Sequence, residues 1–110
     1  MDSLDQLAAL QVLYLTTTGR ISGEPRTIEI WFVAHQRYLY LLAEHYQQAH
    51  WVKNIMNNPM VHVRIGGKDM DARARILELG LDAELWRTVQ GLARKKYGWG
   101  AGLPVQLTPI

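Results

Sequence analysis

Eleven residues near the start of the chain, Thr16-Thr17-Thr18-Gly19-Arg20-Ile21-Ser22-Gly23-Glu24-Pro25-Arg26, leave the backbone few options. Apolar, strand-forming runs flank them, and such runs fold back on each other as a hairpin when turn residues join them. Gly19 and Gly23 are free to adopt positive φ, and Pro25 fixes φ where the chain re-enters an extended run. The same turn gathers hydroxyls, two guanidinium groups and backbone N–H groups within reach of one anion. A solvated hairpin turn is the plain alternative. The rest of the chain decides between them.

At 110 residues the chain is expected to form one domain, residues 1–110, with a hydrophobic core that needs no staples. It has no cysteine, which excludes disulfides, thiolate metal sites and thiol catalysis and fits a reducing compartment. Met1-Asp2-Ser3-Leu4-Asp5 is acidic where a signal peptide is basic, and no apolar run approaches membrane-spanning length. A cytoplasmic protein without a transmembrane segment is the expectation. A formal net charge of +2 is too small to argue for a nucleic-acid partner. The cluster Arg94-Lys95-Lys96 closes a helical segment, where cations favour the helix dipole. Four tryptophans and five tyrosines say more, because large aromatics wall cofactor pockets and interfaces as well as cores.

Asp2 or Ser3 can cap a short helix through Leu10. Val12 to Thr18 reads as a strand, and Arg26 to Val33 alternates, with Ile28, Ile30 and Phe32 opposite Thr27, Glu29 and Trp31. A third strand follows at Arg37 to Leu42. Ala49 to Asn57 reads as a helix stopped by Asn58-Pro59. Val61 to Ile65 and Met70 to Leu79 read as strands joined by a hairpin at Gly66-Gly67-Lys68-Asp69. Asp82 is expected to cap a helix running to about Lys96, and Pro104 to Pro109 to form a last edge strand. The economical packing of that order is α+β: a mainly antiparallel six-stranded split β-barrel with flanking helices.

These residues, in this order, resemble the deazaflavin-dependent nitroreductase family within the split β-barrel flavin-binding (pyridoxamine-phosphate-oxidase-like) superfamily. The family's turn, Thr-Thr-Thr-Gly-Arg-x-Ser/Thr-Gly-x-Pro-Arg, stands complete from Thr16 to Arg26. Its Trp-x-x-Asn-x-x-x-Asn-Pro is matched in register by Trp51, Asn54, Asn58 and Pro59. Ala72 to Arg75 and Leu107 to Pro109 match two further family segments. The resemblance implies a homodimer that holds an 8-hydroxy-5-deazaflavin coenzyme or FMN in a groove near the subunit interface. It also implies hydride transfer to an apolar small-molecule acceptor such as a quinone or nitroaromatic.

Carried over by position, the resemblance places Arg20 and Arg26 at the cofactor's phosphate, where a planar guanidinium fork suits phosphate oxygens. Thr18, Ser22 and Thr27 are expected to add hydroxyl or backbone contacts, and Trp51 to pack beside the cofactor. Trp31, Tyr97 and Trp99 fall at substrate-side positions; Trp31 replaces a tyrosine of a relative, and Tyr97 keeps a hydroxyl. No catalytic residue in the strict sense is expected, since the hydride chemistry belongs to the cofactor.

One departure stands out. Where the family commonly offers a small residue and a lysine toward the phosphate, this chain reads Glu44-His45-Tyr46-Gln47-Gln48-Ala49-His50. A carboxylate facing inward there would repel a phosphate. Glu44, His45 and His50 are also of metal-ligating types, but their spacing yields no convincing site, and no metal is expected. The altered loop keeps an alternative open: a non-catalytic flavin or deazaflavin carrier or ligand-binding module on the same fold. Haem in the same groove, with His50 or His62 as axial ligand, is a more remote one.

Overall fold

The first hairpin forms where the sequence places it. A computed structural model describes residues 7–110, and β1 (Val12–Thr18) pairs antiparallel with β2 (Pro25–Trp31) from Thr18↔Pro25 to Val12↔Trp31. The connecting turn is closed by the Gly19 N–H donating to the Glu24 carbonyl at 2.7 Å and the Gly23 N–H donating to the Gly19 carbonyl at 2.8 Å. Gly23 sits at φ +75, a conformation that glycine alone adopts without steric cost. The capping residues of the expected N-terminal helix, Asp2 and Ser3, lie outside the described residues, while Leu7 is buried in the core.

The expected long second strand breaks at Phe32. A separate β3 (Val33–His35) follows and pairs with β4 (Tyr38–Ala43), so the sheet has seven strands rather than six. The cause is tertiary. The Phe32 backbone leaves the ladder and bonds to the Tyr97 hydroxyl and the Lys96 ammonium, and its ring is fully buried. The alternation of apolar and polar residues ends at Ile30, and the run Trp31-Phe32-Val33-Ala34 carries no turn residue to mark the break.

A 3-10 turn, Tyr46–Gln48, leads into α1 (His50–Asn57), which buries Val52 and Ile55 and ends at Asn58 before Pro59. β5 (Met60–Ile65) and β6 (Lys68–Ile76) form a tight hairpin over Gly66 and Gly67, both at positive φ (+59 and +78). That pair of conformations is what a two-residue hairpin needs to match the strand twist.

α2 (Leu79–Tyr97) starts one turn before the expected cap. Asp82 interrupts its helical geometry, and its carboxylate accepts from the Glu78 N–H at 2.9 Å and from both terminal nitrogens of Arg75 at 3.0 and 3.1 Å. The Arg75 guanidinium holds the Asp82 carboxyl below its ordinary range. β7 (Leu103–Pro109) is not an edge strand. It lies between β6 and β4, with its prolines near the strand ends.

All pairings are antiparallel, and the strand order is β2-β1-β5-β6-β7-β4-β3. The two edge strands, β2 and β3, are consecutive in the chain and separated only by Phe32. The sheet therefore has to curl until its edges meet at that residue, which makes a split barrel. Leu13, Leu15, Leu39, Leu41, Val63 and Leu107 fill its interior. Among the described residues, no helix is long and apolar enough to cross a membrane.

Candidate functional site

Three structural features build one groove on the outside of this barrel. The β1–β2 turn supplies Arg20, Ser22 and Arg26; the first turns of α1 supply His50, Trp51 and Asn54; and β2 supplies Ile28 and Trp31. The groove has two compartments of about 1010 and 660 Å³, which share Ile28, His45, Ala49 and Trp51 and so run into each other.

The larger compartment is cationic. Arg20 and Arg26 line it together with His45 and His50, and no aspartate or glutamate does. Among the described residues, neither arginine is paired with a carboxylate. Arg20 is held from beneath by Asn54, whose Oδ1 accepts from the Arg20 backbone N–H at 3.2 Å and from Nη1 at 2.9 Å. The Nη2 of Arg20 lies 3.3 Å from Nδ1 of His50. Asn54 is only 4 % exposed and donates through Nδ2 to the Thr17 hydroxyl at 3.0 Å, which satisfies a buried polar pair completely. Arg26 donates to the Ser22 hydroxyl at 3.3 Å. Two guanidinium groups fixed by neutral partners keep their charge available to an anion.

The smaller compartment is apolar and aromatic. Trp31 and Trp99 line it with Val12, Ile30 and Leu42, and its polar residues are Glu29, Glu44 and His45. The Trp31 ring lies flat on that of Tyr97, with centroids 4.4 Å apart and planes 6° from parallel. Trp99 owes its place to Gly102, where a Cβ would stand 2.9 Å from the Trp99 ring and 2.9 Å from the Leu42 Cβ.

The structure thus gathers Arg20, Ser22, Arg26 and Trp51 in one compartment and Trp31, Trp51 and Trp99 in the other. It places the remaining three expected residues elsewhere. Thr18 borders a separate shallow cleft with Thr16, His62 and Asp71. The Thr27 hydroxyl is 2.7 Å from that of Thr16. Tyr97 lines neither compartment, and its hydroxyl accepts from the Phe32 N–H and shares its proton between the Gln11 and Phe32 carbonyls. Burial raises the Tyr97 phenol above its ordinary pKa.

Asn54 and His45 are among the groove residues outside the expected set. Asn54 stands in the matched Trp-x-x-Asn segment, yet its part in holding Arg20 depends on a contact across 34 residues. His45 belongs to the divergent loop and borders both compartments. Among the described residues, no three His, Asp or Glu side chains are grouped to hold a metal ion.

The sequence profile of the F420H(2)-dependent quinone reductase family matches residues 3–106. A comparison with curated proteins finds no match. Among solved structures, the chain is similar to an F420-H2 dependent reductase, FDR-A, at 26 % identity and a TM-score of 0.68, covering 87 % of this chain and 91 % of that one. It is also similar to the heme storage protein HutZ from Vibrio cholerae, at 22 % identity and a TM-score of 0.77, covering 97 % of this chain and 87 % of that one. At that identity the likeness concerns the fold. A third structure, a domain-swapped dimer, is 27 % identical with a TM-score of 0.64, over 89 % of this chain and 81 % of that one. With nearly its whole length matched, the chain belongs to the F420H(2)-dependent quinone reductase family, whose cofactor is a deazaflavin.

Proposed function

We propose that this protein is a reductase that lays a reduced deazaflavin along the groove and delivers a hydride to a flat apolar acceptor, a quinone or nitroaromatic. The observation that carries the reading is the polarity of one continuous groove. Its carboxylate-free end with two arginines suits a phosphate-bearing tail, and its aromatic end suits planar rings. When bound, the deazaflavin supplies the hydride, and the protein supplies everything else.

Arg20 and Arg26 would hold the phosphate, with Ser22 as an added donor and Asn54 fixing Arg20 in place. Trp51 stands at the junction of the compartments and would wall the cofactor ring. Trp31 and Trp99 would face the acceptor and exclude water from the transfer. Tyr97 acts by stacking beneath Trp31, since its hydroxyl is engaged elsewhere. Thr18 and Thr27 would contribute through the strand backbone beside the turn.

We further propose that a second copy completes the groove. Ile21, on the turn that carries Arg20, is 91 % exposed, and Trp31 on edge strand β2 is 48 % exposed, an arrangement that a partner subunit would cover. The similar chain that forms a domain-swapped dimer supports the same reading.

Equilibrium fluorescence titration of the ligand-free protein with the deazaflavin coenzyme and with FMN tests the assignment and separates the two cofactors. The Arg20→Ala/Arg26→Ala double variant is expected to weaken binding by at least about 100-fold, since each charge-assisted hydrogen bond is worth roughly 1.5–3 kcal/mol. Unchanged affinity would remove the phosphate assignment. Steady-state oxidation of the bound reduced cofactor by quinones then distinguishes an enzyme from a carrier, which would protect the cofactor.

A further inference from the structure

Reducing a quinone by two electrons consumes a proton as well as a hydride, and the aromatic compartment has few groups able to give one. The indoles of Trp31, Trp51 and Trp99 are not acids at working pH. The Tyr97 phenol, on the far side of the Trp31 ring, gives its proton to backbone carbonyls. Glu29 is occupied in accepting from the Tyr14 hydroxyl at 3.0 Å. That leaves the loop after β4, with Glu44 and His45.

We propose that His45 is the general acid of acceptor reduction; the inference rests on the reductase reading above. His45 is the titratable side chain common to both compartments, so it stands where the ring of a bound cofactor and its acceptor would meet. Imidazole carries a transferable proton near neutral pH, as a general acid must.

The backbone beside it is held in place. Tyr46, immediately after His45, has φ +53, a left-handed conformation costly for a bulky residue. Two anchors hold it: its hydroxyl donates to the Ala101 carbonyl at 2.8 Å, and its ring lies 6.4 Å from that of Trp86. The His45 carbonyl in turn accepts from the Gln48 N–H at 3.0 Å. The strained Tyr46, held by both anchors, fixes the backbone beside His45, whose largely exposed side chain borders both compartments. Glu44 Oε2 lies 3.9 Å from His45 Nε2.

Held by Arg20, Arg26 and Trp51, a reduced deazaflavin would supply the hydride and be oxidised as the quinone is reduced, and this chain's own part would be the proton. The negative charge left on the quinone oxygen is quenched as the N–H bond of the His45 imidazolium breaks and an O–H bond forms. Solvent then returns the proton to the imidazole. The charged and titratable groups around His45 are Glu29 from β2, Glu44 from its own loop, Arg20 and Arg26 from the β1–β2 turn, and His50 from α1.

The test uses the protein loaded with oxidised deazaflavin and, as probe, a hydroxynaphthoquinone that is anionic throughout the pH range, a stand-in for the charged product. The wild type should bind it up to about tenfold more tightly per pH unit of acidification while the imidazole titrates. His45→Gln should bind it weakly with a flat profile, and His45→Lys should restore binding and carry it to higher pH. In turnover with a neutral quinone, His45→Gln should lower kcat about 100-fold with little change in KM. The same pH dependence in wild type and His45→Gln overturns the role of His45 and leaves the reductase reading intact. Failure of the wild type to bind the probe while it binds deazaflavin overturns the acceptor end and this proposal with it. Failure to bind deazaflavin overturns the reductase reading itself.

Discussion

The Tyr97 hydroxyl lies 3.1 Å from the Phe32 amide nitrogen and 2.7 Å from the Phe32 carbonyl oxygen, and so satisfies both backbone groups of the residue where the barrel's edges meet. Lys96 adds a second donor, with its ammonium 3.1 Å from the Phe32 carbonyl and 4.0 Å from the centre of the Phe32 ring. The end of α2 therefore fastens the β2–β3 corner. It also sets the orientation of Trp31, which precedes Phe32 in the chain and stacks on Tyr97.

Tyr97→Phe keeps the ring on Trp31 but removes the hydroxyl, leaving the Phe32 N–H without its partner. The expected cost is about 1–3 kcal/mol in urea unfolding, as for other buried donors left unpaired. Tyr97→Ala should cost more, because the stack on Trp31 goes as well.

Asn54 and Arg20 should separate structure from binding. Asn54→Ala removes three hydrogen bonds from a buried position and is expected to cost about 1–3 kcal/mol of stability. It should also weaken anion affinity, since Arg20 loses its support. Arg20→Ala should weaken deazaflavin binding at least as much while shifting the melting temperature little. Thermal melts and cofactor titrations on the two variants check the crossed pattern.

These two clusters also mark how far the sequence could be read. The β1–β2 turn was legible because its chemistry is local: glycines, a proline and arginines within one hairpin. So was the alternation that buries Phe32 and sends Thr27 and Glu29 outward. The strand break at Phe32 was not, because its cause is a hydroxyl 65 residues away. Tyr97 was expected on the substrate side with a free hydroxyl, and only the packed structure reveals what that hydroxyl bonds to. The strand at Pro104 to Pro109 read as an edge because prolines cannot donate, yet it is internal, its prolines at register positions near the strand ends. The loop from Glu44 to His50 departs from the family pattern, so its geometry had no template, and the positive φ at Tyr46 has no sequence signature.

His62 should titrate above its ordinary value of 6.5. Asp71 and Asp69 each accept a hydrogen bond from one of its ring nitrogens, at 3.0 and 2.9 Å, so the doubly protonated ring is favoured. Because the folded value is raised, the stabilisation is complete below about pH 6.5 and is lost as pH rises through the folded value. The cluster is exposed, so the effect on stability is small and screened by salt. Proton NMR titration of the ring should give the raised value, and Asp69→Asn/Asp71→Asn should return it toward 6.5.

Gly102 and Gly91 should respond to alanine in opposite directions. At Gly102 a methyl group would stand 2.9 Å from both the Leu42 Cβ and the Trp99 ring and 3.0 Å from the Ala43 carbonyl oxygen. Relief requires displacing the strand or the indole, so Gly102→Ala should cost about 1–3 kcal/mol and, by shifting Trp99, raise the KM for the acceptor. Gly91 lies inside α2, where an added methyl meets nothing within 4 Å. Gly91→Ala should stabilise by about 0.4–1 kcal/mol through the entropy of the unfolded chain and leave KM unchanged. Urea unfolding and steady-state kinetics on the pair distinguish close packing beneath Trp99 from a general intolerance of substitution.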